Sequence, residues 1–236
     1  MIKQKKYCLT LIVIFLTLIT NAQSLVNQYD EAGKRDGLWS KNFDNTTQPR
    51  YEGEFDHGKE IGLFKFYTLK QGKSVLSATK QFNKNNDNAD VTFFSSKGKK
   101  ISEGQMDGKL YVGKWLFYHN KVDAVMSEDF YNDEGQLEGK KTIFYPIGKI
   151  AETSHYKAGK LNGVTEVYAE TGVLLKQYTY QNDELHGAAK YYDANGKIAA
   201  EGVYQHDRKH GIWTYYLDGE LEKTIDHTRR SQNPKQ

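Results

Sequence analysis

The chain has 236 residues, of which 38% are hydrophobic, 33 are Lys or Arg and 30 are Asp or Glu. A net charge of +3 supplies no broad basic field to hold nucleic acid or an anionic membrane. A single cysteine excludes an intrachain disulfide, and three prolines leave no Pro-rich linker to divide the chain.

The three surplus charges lie at the very start. Lys3, Lys5 and Lys6 precede an apolar run from Cys8 to Ile19, broken only by Thr10 and Thr17, and the run exits through Thr20-Asn21-Ala22. A basic segment, a short apolar core and a small-residue exit are the marks of a secretory signal peptide. The apolar core falls well short of the roughly 20 residues that cross a bilayer as a helix. Residues 1–22 are therefore expected to be a signal peptide cleaved near Ala22, with the product exported to the periplasm, the cell envelope or the outside. The mature chain would be neutral, free of cysteine and without a transmembrane span. A secreted domain without disulfides must bury a core of its own.

From Gly37 onward the chain repeats itself. YEGEFDHGKEIGLFKFY (51–67), SEGQMDGKLYVGKWLFY (102–118) and AEGVYQHDRKHGIWTYY (200–216) share a Glu-Gly pair, a charged turn, a second Gly and an aromatic-rich run. Equivalent landmarks fall at Gly37, Gly62, Ala89, Gly113, Gly139, Gly163, Gly187 and Gly211, spaced 24 to 27 residues apart. Ala89 is the one departure, and it follows an Asn-rich insertion, Asn83 to Asn88. A fixed period of this size is the signature of a repeat architecture.

Each unit divides into two strands. The run after the landmark, as in Gly211 to Tyr216, is rich in aromatic and β-branched residues and predicts a strand. Asn195-Gly196 predicts a hairpin turn with both residues at positive φ, and Ile198 to Tyr204 the return strand. Gln205 to His210 then reads as a polar turn leading to the next landmark. Positions two and four after the landmark include Trp39, Phe64, Phe66, Val91, Phe93, Trp115, Phe117, Val167, Tyr191, Trp213 and Tyr215. Successive strand residues point to opposite faces, so these share one face, which is expected to be the core. The exceptions are Lys41, Lys141, Thr165 and Ala189. The landmark glycines are expected to serve positive φ or close strand approach. Trp213, in the last unit, is expected to have a neighbour on one side only and so to matter less than Trp115. The fold class is all-β, an open antiparallel meander or solenoid of about eight stacked hairpins over 23–226, with a polar tail at 227–236.

The pattern Tyr51-x-Gly53-x-Phe55-x-x-Gly58-Lys59-x-x-Gly62-x-Phe64 resembles the MORN repeat (membrane occupation and recognition nexus). The 24-residue spacing resembles its bacterial variant, found in the YwqK-like antitoxins of toxin–antitoxin pairs. The resemblance runs from about Gly33 to Leu221. It implies a sheet of meandering hairpins used for protein binding, for scaffolding and, in some members, for lipid contact.

No catalytic motif is present: there is no GxxxxGK[ST] phosphate loop, no HExxH pair and no GxSxG elbow. His186 and His210 precede landmark glycines and read as turn residues, not as metal ligands. No enzyme activity, cofactor or metal is expected. The feature that points to binding is an aromatic ladder five residues after each landmark: Tyr67, Phe94, Tyr118, Phe144, Tyr168, Tyr192 and Tyr216. By parity it faces away from the Trp39, Trp115 and Trp213 side. Tyrosine suits interfaces because an apolar ring carries a polar tip. The reading at this point is an exported, non-catalytic scaffold that binds another protein. An antitoxin-like immunity protein that masks a toxin, or a binder of glycan or envelope polymer, are the alternatives. The ladder could equally pack against itself to close the sheet.

Overall fold

The structure, a computed structural model, describes residues 26–83 and 86–228. The expected signal peptide and the tail beyond 228 lie outside the described residues. Eighteen strands follow one another in chain order, and no helix occurs among the described residues. They are β1 (Gln28–Tyr29), β2 (Arg35–Asn42), β3 (Pro49–Asp56), β4 (Lys59–Lys70), β5 (Lys73–Phe82) and β6 (Asn88–Phe94). Next come β7 (Lys100–Asp107), β8 (Leu110–Tyr118), β9 (Val125–Tyr131), β10 (Gly139–Phe144), β11 (Ile150–Lys157) and β12 (Lys160–Leu161). The last six are β13 (Gly163–Tyr168), β14 (Leu174–Gln181), β15 (Glu184–Tyr192), β16 (Ile198–Gln205), β17 (Arg208–Leu217) and β18 (Glu220–Asp226).

Neighbours in sequence pair antiparallel throughout, with the two-residue β12 hung on β11 beside β13. The first strand pairs with β2, and the last with β17, so the sheet is an open meander. One face carries the apolar positions two and four. Phe64, Trp115 and Trp213 on it are fully buried, and Val91 and Ala189 nearly so. The opposite face is wetter, with Leu63 and Ile212 at position one left 50% and 66% exposed.

Gly139 and Gly163 open β10 and β13, as the sequence suggests, but Gly37, Gly62, Gly113, Gly187 and Gly211 each sit inside a strand. The turn at the end of β16 is only His206-Asp207, both at positive φ, and β17 resumes at Arg208, three residues before Gly211. The same two-residue loop, with both residues at positive φ, occurs at His57-Gly58 and Asn182-Asp183. It matches the right-handed twist of the strands that it joins. At the landmark the ladder slips. Between β3 and β4 the register passes from Glu54↔Ile61 to Glu52↔Lys65, two residues on one strand against four on the other. The same jump recurs at β7/β8, β14/β15 and β16/β17. All seven landmark glycines hold positive φ, from +63° at Gly211 to +119° at Gly163. A side chain would oppose that backbone by about 1–2 kcal/mol. Ala89 has no positive φ, and β5 and β6 pair straight from Ala78↔Phe93 to Phe82↔Ala89. The single non-glycine landmark thus lies where two strands pair without the jump.

Two other sequence readings change. Asn195-Gly196 is not a pair at positive φ. Gly196 alone is, at +81°, and its N–H donates to the Asp193 carbonyl in a turn whose Asp193 side chain accepts from Asn195 N and Lys197 N. Trp213 is not flanked on one side only. Its strand pairs with β16 before it and β18 after it, and Trp213 stands opposite Ile225.

Candidate functional site

On the buried face the indole and phenyl rings lie on glycines of the preceding strand. A Cβ added to Gly53 would meet the Phe64 ring at 2.4 Å, one on Gly104 the Trp115 ring at 2.5 Å, and one on Gly202 the Trp213 ring at 2.4 Å. Close approach is therefore the task of the first glycine in these three units, and positive φ that of the second. The Trp115 Nε1–H donates to the Gln105 carbonyl at 2.8 Å, and Trp213 Nε1–H to the Val203 carbonyl at 3.1 Å. Each indole thus both covers a glycine and satisfies a carbonyl beside the register jump. Trp39 is half-buried, edge-on to Tyr29 and Phe55, and donates to the Gln28 carbonyl.

In the middle of the sheet this pairing changes chemistry. Where the aromatic gives way to Lys141, the facing residue is Asp129, with Nζ to Oδ2 at 3.0 Å. Ser154 stands opposite Lys141, and Thr165 follows on the next strand. Ala189 instead faces Tyr178, so the large residue has moved to the other strand. Asp129 Oδ1, Ser154 Oγ and Thr165 Oγ1 are buried and find no hydrogen-bond partner among the described residues. These units hold a polar seam between two aromatic blocks.

The ladder lies on the opposite face, as parity requires, and all seven of its members are half-buried. Four of its five hydroxyls are engaged. Tyr67 donates to Glu52 at 2.7 Å, Tyr216 to Glu201 at 2.9 Å, and Tyr118 to Glu103. Each acceptor stands 15 residues earlier, in the Glu-Gly pair of its unit. In the sixth unit the position 15 residues before Tyr168 is Thr153, and Tyr168 donates instead to Glu166 at 2.7 Å. Phe94 has no hydroxyl, and Thr79 stands where the Glu would be. Lys100 bonds Glu103 at 2.6 Å and lies over the Tyr118 ring. The sequence reading missed these glutamates, although their fixed offset from tyrosine alone was there to find.

These contacts move proton affinities. Burial, and then the glutamate acceptor, push Tyr67, Tyr118 and Tyr168 up to about 12. Glu103 is held below the usual carboxylate range by Lys100 and then Tyr118, and Glu166 by Tyr168 first. A phenol that keeps its proton longer when folded adds stability that is whole below its unfolded value near 10. That stability is lost as pH rises through about 12. Spectrophotometric titration of the phenolate band should show a late class of tyrosines. In Tyr118→Phe the amplitude of that class should fall by one phenol while the early class is unchanged.

Among the described residues, Asp36, Asp56 and His57 are the group whose donor atoms come close enough to hold a metal ion. His57 already bonds Asp30 at 2.8 Å, and its backbone N–H donates to Asp36.

The family model described as the MORN repeat variant matches residues 137–158, 161–182 and 185–206. No curated protein matches. Among solved structures the chain is similar to a mutant of S. aureus TarM in complex with Fondaparinux, alpha-GlcNAc-glycerol and UDP. The identity is 10% over 64% of this chain and 21% of that one, with a TM-score of 0.27. Another structure of TarM is 12% identical over 53% of this chain and 20% of that one, with a TM-score of 0.19. The chain spans about a fifth of the length of both. The segment from Leu137 to His206 thus matches three consecutive repeats of the MORN variant, within a longer meander of hairpins.

Proposed function

We propose that this repeat scaffold is exported and binds another protein along the ladder face, without catalysis. The observation that carries the reading is the row Tyr67, Phe94, Tyr118, Phe144, Tyr168, Tyr192 and Tyr216. One aromatic stands at the same position in seven consecutive units, half-exposed, on the face that the core does not use. Its hydroxyl–glutamate bonds hold several rings in fixed orientations, which lowers the entropy lost when a partner docks. Charged groups flank the row, including the pairs Lys114–Glu128 and Lys190–Glu201. A polar rim around aromatic anchors is how protein interfaces are built. The basic start and apolar run of residues 1–22 support export.

Capture of partners from the cell envelope on the immobilised chain tests this. Tyr118→Ala and Tyr168→Ala, in interior units, should each weaken capture at least about tenfold, because central aromatics concentrate interface energy. Tyr118→Phe separates the roles: it removes the bond to Glu103 and keeps the ring, so capture should persist. If both alanine variants unfold as readily as Phe117→Ala on the other face, the ladder is packing and not interface. Sequencing of the exported protein should find its first residue near Gln23, and full-length protein with Met1 in the cytosol would overturn export.

A further inference from the structure

At the N-terminal end of the sheet a cavity of about 390 Å³ opens between β2, β3 and β4. It is lined by Arg35, Lys41, Arg50, Tyr51, Phe66 and Tyr67. Three of these six residues are cations, three are aromatic, and none is a carboxylate. No ion pair engages Arg35, Lys41 or Arg50 among the described residues, while lysines elsewhere on the sheet pair with Asp129, Glu103 and Glu128. Like charges gathered around a concavity repel one another, so the arrangement is relieved by a bound anion.

The geometry points to a site for a phosphate ester with an apolar or aromatic body. Arg35 is already oriented. Its guanidinium lies 4.1 Å over the Phe55 ring, and one of its nitrogens donates to the Tyr51 hydroxyl at 3.3 Å. A guanidinium fixed by stacking spends little entropy on a further bond, and its remaining donors match the paired oxygens of a phosphate. Lys41 and Arg50 are exposed and make no ion pair, so they are free to close on the same anion. Three positive groups exceed what one carboxylate neutralises, whereas a phosphate monoester carries about two negative charges near neutral pH. The Tyr51 and Phe66 rings offer the apolar wall, 6.5 Å apart and tilted. The volume lies within the usual range of small-ligand pockets.

Calorimetric titration of the full chain with phenyl phosphate, and separately with inorganic phosphate, tests the site. Saturable one-to-one binding of phenyl phosphate is expected, several-fold tighter than inorganic phosphate because only the ester meets the aromatic wall. Lys41→Gln and Arg50→Gln should each weaken it about tenfold or more, since each removes a charge-assisted bond. Both side chains are exposed, so thermal unfolding of these variants should match the parent. Lys97→Gln, on a distant turn, should leave binding unchanged. The site is overturned by absence of saturable binding, by full affinity in the Lys41→Gln/Arg50→Gln double variant, or by an equal loss in Lys97→Gln.

Discussion

Trp213→Ala should destabilise the protein by about 3–5 kcal/mol, as much as Trp115→Ala. Position in the chain suggests otherwise, because Trp213 belongs to the last unit. Burial decides it. Both indoles have no exposed surface. Both cover a glycine of the preceding strand, and both satisfy a carbonyl next to the register jump. Around Trp213 the rings of Tyr204, Tyr191 and His227 lie 5.1–6.4 Å away, and Lys209 sits 4.2 Å over its face. Removing the indole leaves a cavity, an uncovered glycine and an unsatisfied carbonyl together. In a solenoid each unit contacts only its neighbours, so the loss should be local. Hydrogen exchange should rise over β16 to β18 for Trp213→Ala and over β7 to β9 for Trp115→Ala. Urea unfolding gives the magnitudes. A cost for Trp213→Ala below about 1 kcal/mol would mean that the last hairpin frays in the parent as well.

Much of this architecture is legible in the sequence because the repeat prints it eight times. Strand parity from the landmark glycine puts Phe64, Val91, Trp115, Ala189 and Trp213 on one face, and all are buried. The meander follows from turn signals at short, regular spacing. Other features need knowledge of which residue lies across from which. Gly104 and Trp115 are 11 residues apart, as are Gly53 and Phe64, and Gly202 and Trp213. Their contact depends on the two-residue register jump, which a straight hairpin would not predict. The glutamates of the ladder stand at a fixed offset in the sequence, but the contact of Tyr67 with Glu52 is made across strands offset by that jump. The basic cavity was harder still. Arg35, Lys41 and Arg50 belong to two strands and stand out only when those strands lie side by side. The polar seam shows what the repeat alone conceals. Lys141 and Thr165 look like losses of an aromatic when read singly. Set beside Asp129 and Ser154, they are replacements of a whole glycine–aromatic pair.

The two glycine tasks should separate under substitution, and the larger effect belongs to Gly104. Its backbone is ordinary strand, so any penalty there is steric. An alanine Cβ would sit 2.5 Å from the Trp115 ring. That ring has little room to withdraw. Tyr111 stacks on it at 3.8 Å, and its Nε1–H is tied to the Gln105 carbonyl. Forcing even one methyl into a full site costs about 1–3 kcal/mol. Gly113 is the reverse case. Nothing lies within 4 Å of its added Cβ, but its φ is +65°. Alanine there should cost about 1–2 kcal/mol through backbone strain alone. Asparagine tells the two apart. It tolerates positive φ better than alanine, so Gly113→Asn should be milder than Gly113→Ala despite its greater bulk. At 104 bulk is the only issue, so Gly104→Asn should be worse than Gly104→Ala. The steric lesion should also vanish with its cause: in a Trp115→Leu background, Gly104→Ala should cost far less than it does alone. Unfolding midpoints in urea for these variants would decide the matter. If asparagine ranked on the same side of alanine at both positions, the division between close approach and positive φ would be wrong.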